Sequence, residues 1–257
     1  MRRKFFNALG AAMALVMLLA LSSAMAAEKT WTNGNGDGKW GTGANWNPAG
    51  APGAGDIAVF NDNANITVST SVADIAIRVL NDVEVALKSE GSGKLTLKGS
   101  DEPIKEEDIK GKASLLVAEG ATLTTEADCL ALPNAHAAIV LDGNLELGSN
   151  LEVPSGKVLH IKTENYRGAL TGNVAGLVFT DSTSTIAFYG DVTLDGAKKI
   201  IDTVGGGAIE MAESWSILTA THKDTFVVNG PVIFKNSEGT CWSTLKLEAQ
   251  LPDYFSL

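Results

Sequence analysis

Apolar and polar residues alternate along most of this chain in short runs. In Lys94-Leu95-Thr96-Leu97-Lys98 the leucines point one way and the polar side chains the other. Val83-Glu84-Val85-Ala86-Leu87 and Asn144-Leu145-Glu146-Leu147 behave alike. A period of two marks an extended strand with one face buried. Similar runs lie at Asn65–Val68, Ala76–Leu80, Ser114–Ala118, Ala138–Leu141, Lys157–Lys162, Thr185–Tyr189, Ala208–Met211, Thr225–Val228 and Val232–Lys235. The chain therefore reads as all-β, built from many short strands.

The runs recur. Leu95, Leu115, Ile139, Leu159, Ile186, Ala208 and Phe226 are separated by 20, 24, 20, 27, 22 and 18 residues. Steps of that size fit a stacked repeat in which each coil buries its apolar face against its neighbours. The fold expected is a parallel β-helix, a solenoid filling residues 64–257. Turn residues such as Asp142-Gly143-Asn144, Pro154-Ser155-Gly156 and Asp195-Gly196 separate the runs. Asp-Gly also marks two-residue hairpins, so an antiparallel β-sandwich is the alternative. The charged stretch Gly99–Gly111 breaks the pattern and is expected as a solvated loop with a helical turn at Pro103–Ile109. Ala197–Ile201 is expected as another brief helical turn.

Residues 1–27 read as a signal peptide. Arg2, Arg3 and Lys4 precede an apolar run from Ala11 to Leu21, and Ala24-Met25-Ala26 is a small-x-small processing site. The chain is expected to be exported, with a secreted or outer-membrane, cell-surface destination. No later segment is long and apolar enough to cross a membrane as a helix. The formal net charge is −10, and loss of the three basic residues takes it to −13. So acidic a surface repels phosphate backbones, which excludes nucleic acid as a partner. Cys129 and Cys241 are the only cysteines. In a solenoid they would lie about five coils, roughly 24 Å, apart, so both are expected unpaired.

Residues 28–63 differ from the rest, and glycine, asparagine and tryptophan dominate them. Strands are expected at Lys29–Thr32 and Ile57–Phe60. Trp31, the Asp37-Gly38 turn, Trp40, Asn45-Trp46, Pro52, Gly55-Asp56 and Phe60 follow in order. This segment resembles the N-terminal region of autotransporter passengers and related exported bacterial β-helix proteins. The resemblance covers about 30 residues and implies a right-handed parallel β-helix displayed at or beyond the outer membrane. An open solenoid end exposes unpaired backbone and core, and terminal repeats need caps. Trp31, Trp40, Trp46, Asp56 and Phe60 are the expected structural cap. Sugar stacking by exposed tryptophans is the competing reading of the trio.

Candidate chemistry is thin. Asn33, Asn35, Asp37 and Gly38 match four positions of a calcium loop, but Ala44 stands where the bidentate glutamate belongs. Asp56 and Asp62 could add ligands only if the fold brought them close. Cys129 and His136 are seven residues apart, with turn-like text between them. His160 falls in a strand, and His222 in a polar loop. Two cysteines and three histidines show no zinc spacing. Glu106 and Glu107 sit in the inserted loop, and Asp142 and Asp195 in turns, so no acid–base pair can be named. No catalytic, metal or cofactor residue is expected. The function expected is a non-catalytic surface stalk or adhesin-like passenger that meets host or matrix glycans or surface proteins. A carbohydrate-active lyase or hydrolase and a fragment of a larger autotransporter are the alternatives.

Overall fold

A computed structural model describes residues 26–164, 168–171, 175–196, 199–213, 215–221, 226–235 and 243–247. Short strands follow one another around a tube, and each bonds to the strands one coil before and one coil after. Along one wall, Ile77 faces Leu115, which faces Ile139, then Ile161, Phe188 and Met211. Along a second, Ala64, Val85, Leu123, Leu145, Leu170, Leu194 and Ala220 stack in register. A third wall has two parts. Leu95–Leu97 and Leu130–Ala131 form the first, and Leu151–Val153, Leu177–Phe179, Ile200–Asp202 and Phe226–Val227 the second. The ladders are parallel and make a β-solenoid of about seven turns. At about 4.8 Å per coil those turns rise about 35 Å.

This excludes the antiparallel sandwich. Among the described residues, antiparallel pairing is confined to Thr30 and Trp31 against Asn47 and Trp46 in the opening segment and to one bridge between Ser100 and His136. The Asp-Gly and Pro-Ser-Gly turns are corners of a coil and not hairpins. At Asp142-Gly143, for instance, both amides bond the Val117 carbonyl of the preceding coil.

Strand Val72–Val79 shows how a corner is made without a loop. Val72 and Ile75 pair with Leu95 and Leu97 in the third wall, whereas Ile77–Val79 pair with Leu115–Val117 in the first. The register shifts between Val72 and Ile75, and Asp74 takes φ 57°. One residue in the left-handed region bends the strand from one wall to the next. Two sequence expectations change as a result. Leu95 belongs to a different wall from Leu115, so the interval between them is not one coil. The true partner of Leu115 is Ile77, 38 residues earlier, because the charged insertion lies between them.

The insertion carries the expected helical turn and keeps its charged side in solvent, but its apolar side is docked. Residues Glu106–Asp108 form one 3-10 turn, and Ile109–Lys112 one α-helical turn. Ile104 and Ile109 are buried and cluster with Ala138, Val140, Ala187 and Tyr189 on the outside of the first wall. Its charges face solvent, and two isoleucines at a spacing of five supply an apolar side for docking. Ile200–Asp202 is a strand, so the helical turn expected from Ala197 to Ile201 does not extend through Ile200. Ala197 itself lies outside the described residues.

Candidate functional site

Three features bring polar or aromatic chemistry together. The first is the opening segment. Trp31, Trp40 and Trp46 are 4%, 2% and 2% exposed, so no indole of the trio offers a face for sugar stacking. Trp46 lies at the centre, with ring centroids 5.0 Å from Trp31, 4.9 Å from Trp40 and 5.7 Å from Phe60. The pairs are edge-on, the arrangement that aromatic quadrupoles favour. The Trp46 indole N–H donates to the Trp40 carbonyl at 2.8 Å, and the Trp40 indole to the Pro52 carbonyl at 3.2 Å. Asp56 receives the Ala27 and Gly53 amides on its two carboxylate oxygens.

The Asn-Gly loop over this cluster is organised by Asp37. Its carboxylate accepts from the Lys39 amide, the Thr42 hydroxyl and the side-chain amides of Asn35 and Asn45. These bonds hold it well below the usual carboxylate range. Asn33 instead accepts from the Gly38 amide, and Asp56 is committed to Ala27 and Gly53. The four positions that resembled a calcium loop thus close a turn. No group of three or more His, Cys, Asp or Glu residues suited to a metal is present among the described residues.

The second feature was not legible in the sequence. On the outer side of the first wall, register places Lys162 beside Tyr189 and Ala187 between His160 and Glu210. His160 Nδ1 lies 3.0 Å from the Tyr189 hydroxyl. Lys162 donates to Glu213 at 3.3 Å, and Glu213 is near enough to Glu106 of the insertion for the two carboxyls to act on each other. Burial, then the Glu213 charge, pushes the Glu106 carboxyl up from its ordinary range. Burial presses His160 down to about 4, with small help from His136 and Lys235. Burial and the charges of Glu106, Glu210 and Glu213 drive the Tyr189 phenol upward. Lys110 of the insertion reaches Glu164 at 2.8 Å. Glu106, Lys110, Lys162 and Glu213 are therefore polar clasps at the margin of the apolar insertion–wall contact. His160 and Tyr189 are 29 residues apart, and only the ladder register reveals them as neighbours.

The third feature is a cleft of about 420 Å³ where the insertion meets the first coils. Arg78, Lys98 and Lys112 line it, with Ser100, Gly55 and Ala26. Arg78 and Lys112 keep loose ion pairs with Glu28 at 3.5 Å and Asp108 at 3.4 Å. Three cations at one cleft stand out on a chain of net charge −10.

The remaining candidates separate. Cys129 is fully buried in the tube among aliphatic side chains, and burial raises its thiol to about 11. It is a free thiol; Cys241 lies outside the described residues. His136 instead accepts the Val158 amide on Nδ1, so it does not form a poised pair with Cys129. Asp142 accepts the Glu164 amide, and Asp195 the Thr221 hydroxyl, each in the next coil. His222 lies outside the described residues.

Fold and site together define a parallel β-solenoid with a docked insertion. No family model, curated protein or solved structure matches the chain. No helix among the described residues is long and apolar enough to cross a membrane.

Proposed function

We propose that the exported chain is a non-catalytic, adhesin-like surface protein that binds carboxylated glycans at the lateral cleft. The observation that carries this reading is the cationic cleft of Arg78, Lys98 and Lys112 on an otherwise acidic molecule. A solenoid suits such display, because outward side chains can vary while the inward rows hold the stack. Autotransporter-like delivery agrees with the order of Trp31, Asp37-Gly38, Trp40, Asn45-Trp46 and Phe60. A larger parent protein remains compatible with that order, and the downstream reading frame decides it.

A glycan array probed with the mature protein tests the binding reading. Uronate-bearing glycans should be retained in preference to neutral ones, and retention should weaken with salt. Arg78→Ala combined with Lys98→Ala should reduce binding at least tenfold at unchanged thermal stability. Equal retention of neutral and acidic glycans rejects the cleft as the site.

A carbohydrate-active enzyme is the second reading, favoured by the Glu106–Glu213 carboxyl pair beside Lys162. Reducing-end release or unsaturated-uronate absorbance from a polysaccharide panel checks it. Activity lost in Glu213→Gln would replace the adhesin reading.

A further inference from the structure

We propose that export processing cuts between Ala26 and Ala27, and that the new α-ammonium of Ala27 forms an ion pair with Asp56 that locks the first coil. Two independent observations meet at this bond. In the sequence, Ala24-Met25-Ala26 places small residues where a signal peptidase reads them. In the fold, Ala27, which the sequence reading counted with the signal peptide, is held on both sides. Its nitrogen lies 3.0 Å from Asp56 Oδ1, and its carbonyl accepts the Ile57 amide at 2.9 Å. Strand Glu28–Trp31 then pairs in register with Ile57–Phe60. A cut one residue later, after Ala27, would discard both contacts.

The acceptor is organised before the cut. Asp56 Oδ2 takes the Gly53 amide at 2.9 Å, and the Gly55 amide is bonded to the Asp74 carbonyl at 2.7 Å. Oδ1 is thereby aimed at the Ala27 nitrogen. Hydrolysis adds water across the Ala26–Ala27 peptide bond. The C–N bond breaks, Ala26 leaves as a carboxylate, and Ala27 takes up protons to become an ammonium. A neutral amide donor thus becomes a charged one at the same carboxylate oxygen, and charge-assisted bonds of this kind are about twice as strong. Ala26 lines the cationic cleft, so its departure also opens that cleft. The inference shares with the proposed function only the premise of export. Its readouts are a mass and a melting temperature, which do not depend on any ligand.

Intact mass of the secreted chain should place the first residue at Ala27; a chain beginning at Glu28 or further on overturns the assignment. Asp56→Asn should lower the melting temperature of the processed chain by about 2–4 °C more than that of a chain still carrying Met25-Ala26. Equal losses in both backgrounds overturn the ion pair. Should Asp56→Asn not fold, Nα-acetylation of the processed wild-type chain provides the second measurement. Acetylation should lower its melting temperature by a similar amount, and an unchanged value overturns the proposal.

Discussion

At the scale of single residues, burial and the number of partners decide what each group can do. Trp46 touches three rings and spends its indole N–H on Trp40. Trp46→Ala should cost about 3–5 kcal/mol in chemical denaturation, because no neighbour can fill so large a void. Lys199 is the opposite case. It is fully buried, its Nζ has no hydrogen-bond partner among the described residues, and burial lowers its pKa to about 8. The unfolded lysine titrates near 10.4. Between pH 8 and that value the unfolded chain holds a proton that the native chain has released, so stability rises with pH. Lys199→Met should therefore stabilise the protein, most strongly below pH 8, with the gain shrinking as pH rises towards 10. Paired melting curves across pH 7–10 check this. Of the residues named as a cap from sequence, the aromatic ones were legible because three tryptophans in sixteen residues are conspicuous. Lys199 was not, because nothing local distinguishes a lysine turned inward at a corner.

At the scale of elements, the insertion and the wall beneath it form one unit. Ile104 and Ile109 enter the contact with Ala138, Val140, Ala187 and Tyr189, and Lys110–Glu164 and the Glu106–Glu213–Lys162 group close its margin. Burying two isoleucines is worth roughly 3–6 kcal/mol before the entropy of ordering the segment. Ile109→Asp should undock the insertion and leave the tube intact, since the coils have their own core. Limited trypsin digestion should then cut at Lys105, Lys110 or Lys112 at least tenfold faster than in the parent. The same cover sets the state of His160. With its pKa near 4 in the native chain and near 6.5 unfolded, the unfolded state takes up a proton first as pH falls. Stability is thus lost between pH 6.5 and 4. His160→Asn should flatten that part of the pH–stability curve relative to the parent. In Ile109→Asp, an NMR titration should find the His160 pKa displaced back towards 6.5.

At the scale of the molecule, ladder pairing ties each coil to the coil before and the coil after, and only the docked insertion spans several. Stability in such a stack is close to a sum of coil and interface contributions. The Trp46 cluster packs on Phe60 beside the first coil, whereas Ile233 and Phe234, 37% and 47% exposed, lie on the last first-wall strand among the described residues. Hydrogen exchange should therefore be slowest in the middle strands, Leu115–Val117, Ala137–Leu141 and Val158–Lys162, and faster at Val232–Phe234. Trp46→Ala should speed exchange in Ile57–Phe60 and Ala64–Val68 well before it affects Thr185–Tyr189. Uniform acceleration along the chain would contradict nearest-neighbour stacking.

The alternation of apolar and polar residues determined by itself that the chain is β and which side of most strands faces inward, because that information is local. The recurrence of such runs determined that they stack, but not which run lies on which. Leu95 and Leu115 look equivalent in sequence and belong to different walls, since the strand bent at Asp74 pairs with both and the charged insertion separates them. Tertiary structure alone decided that the charged insertion docks, that His160 meets Tyr189, and that Arg78, Lys98 and Lys112 share a cleft. Those neighbours lie a coil or more apart along the chain, and register between coils is fixed by the whole stack of side chains at once.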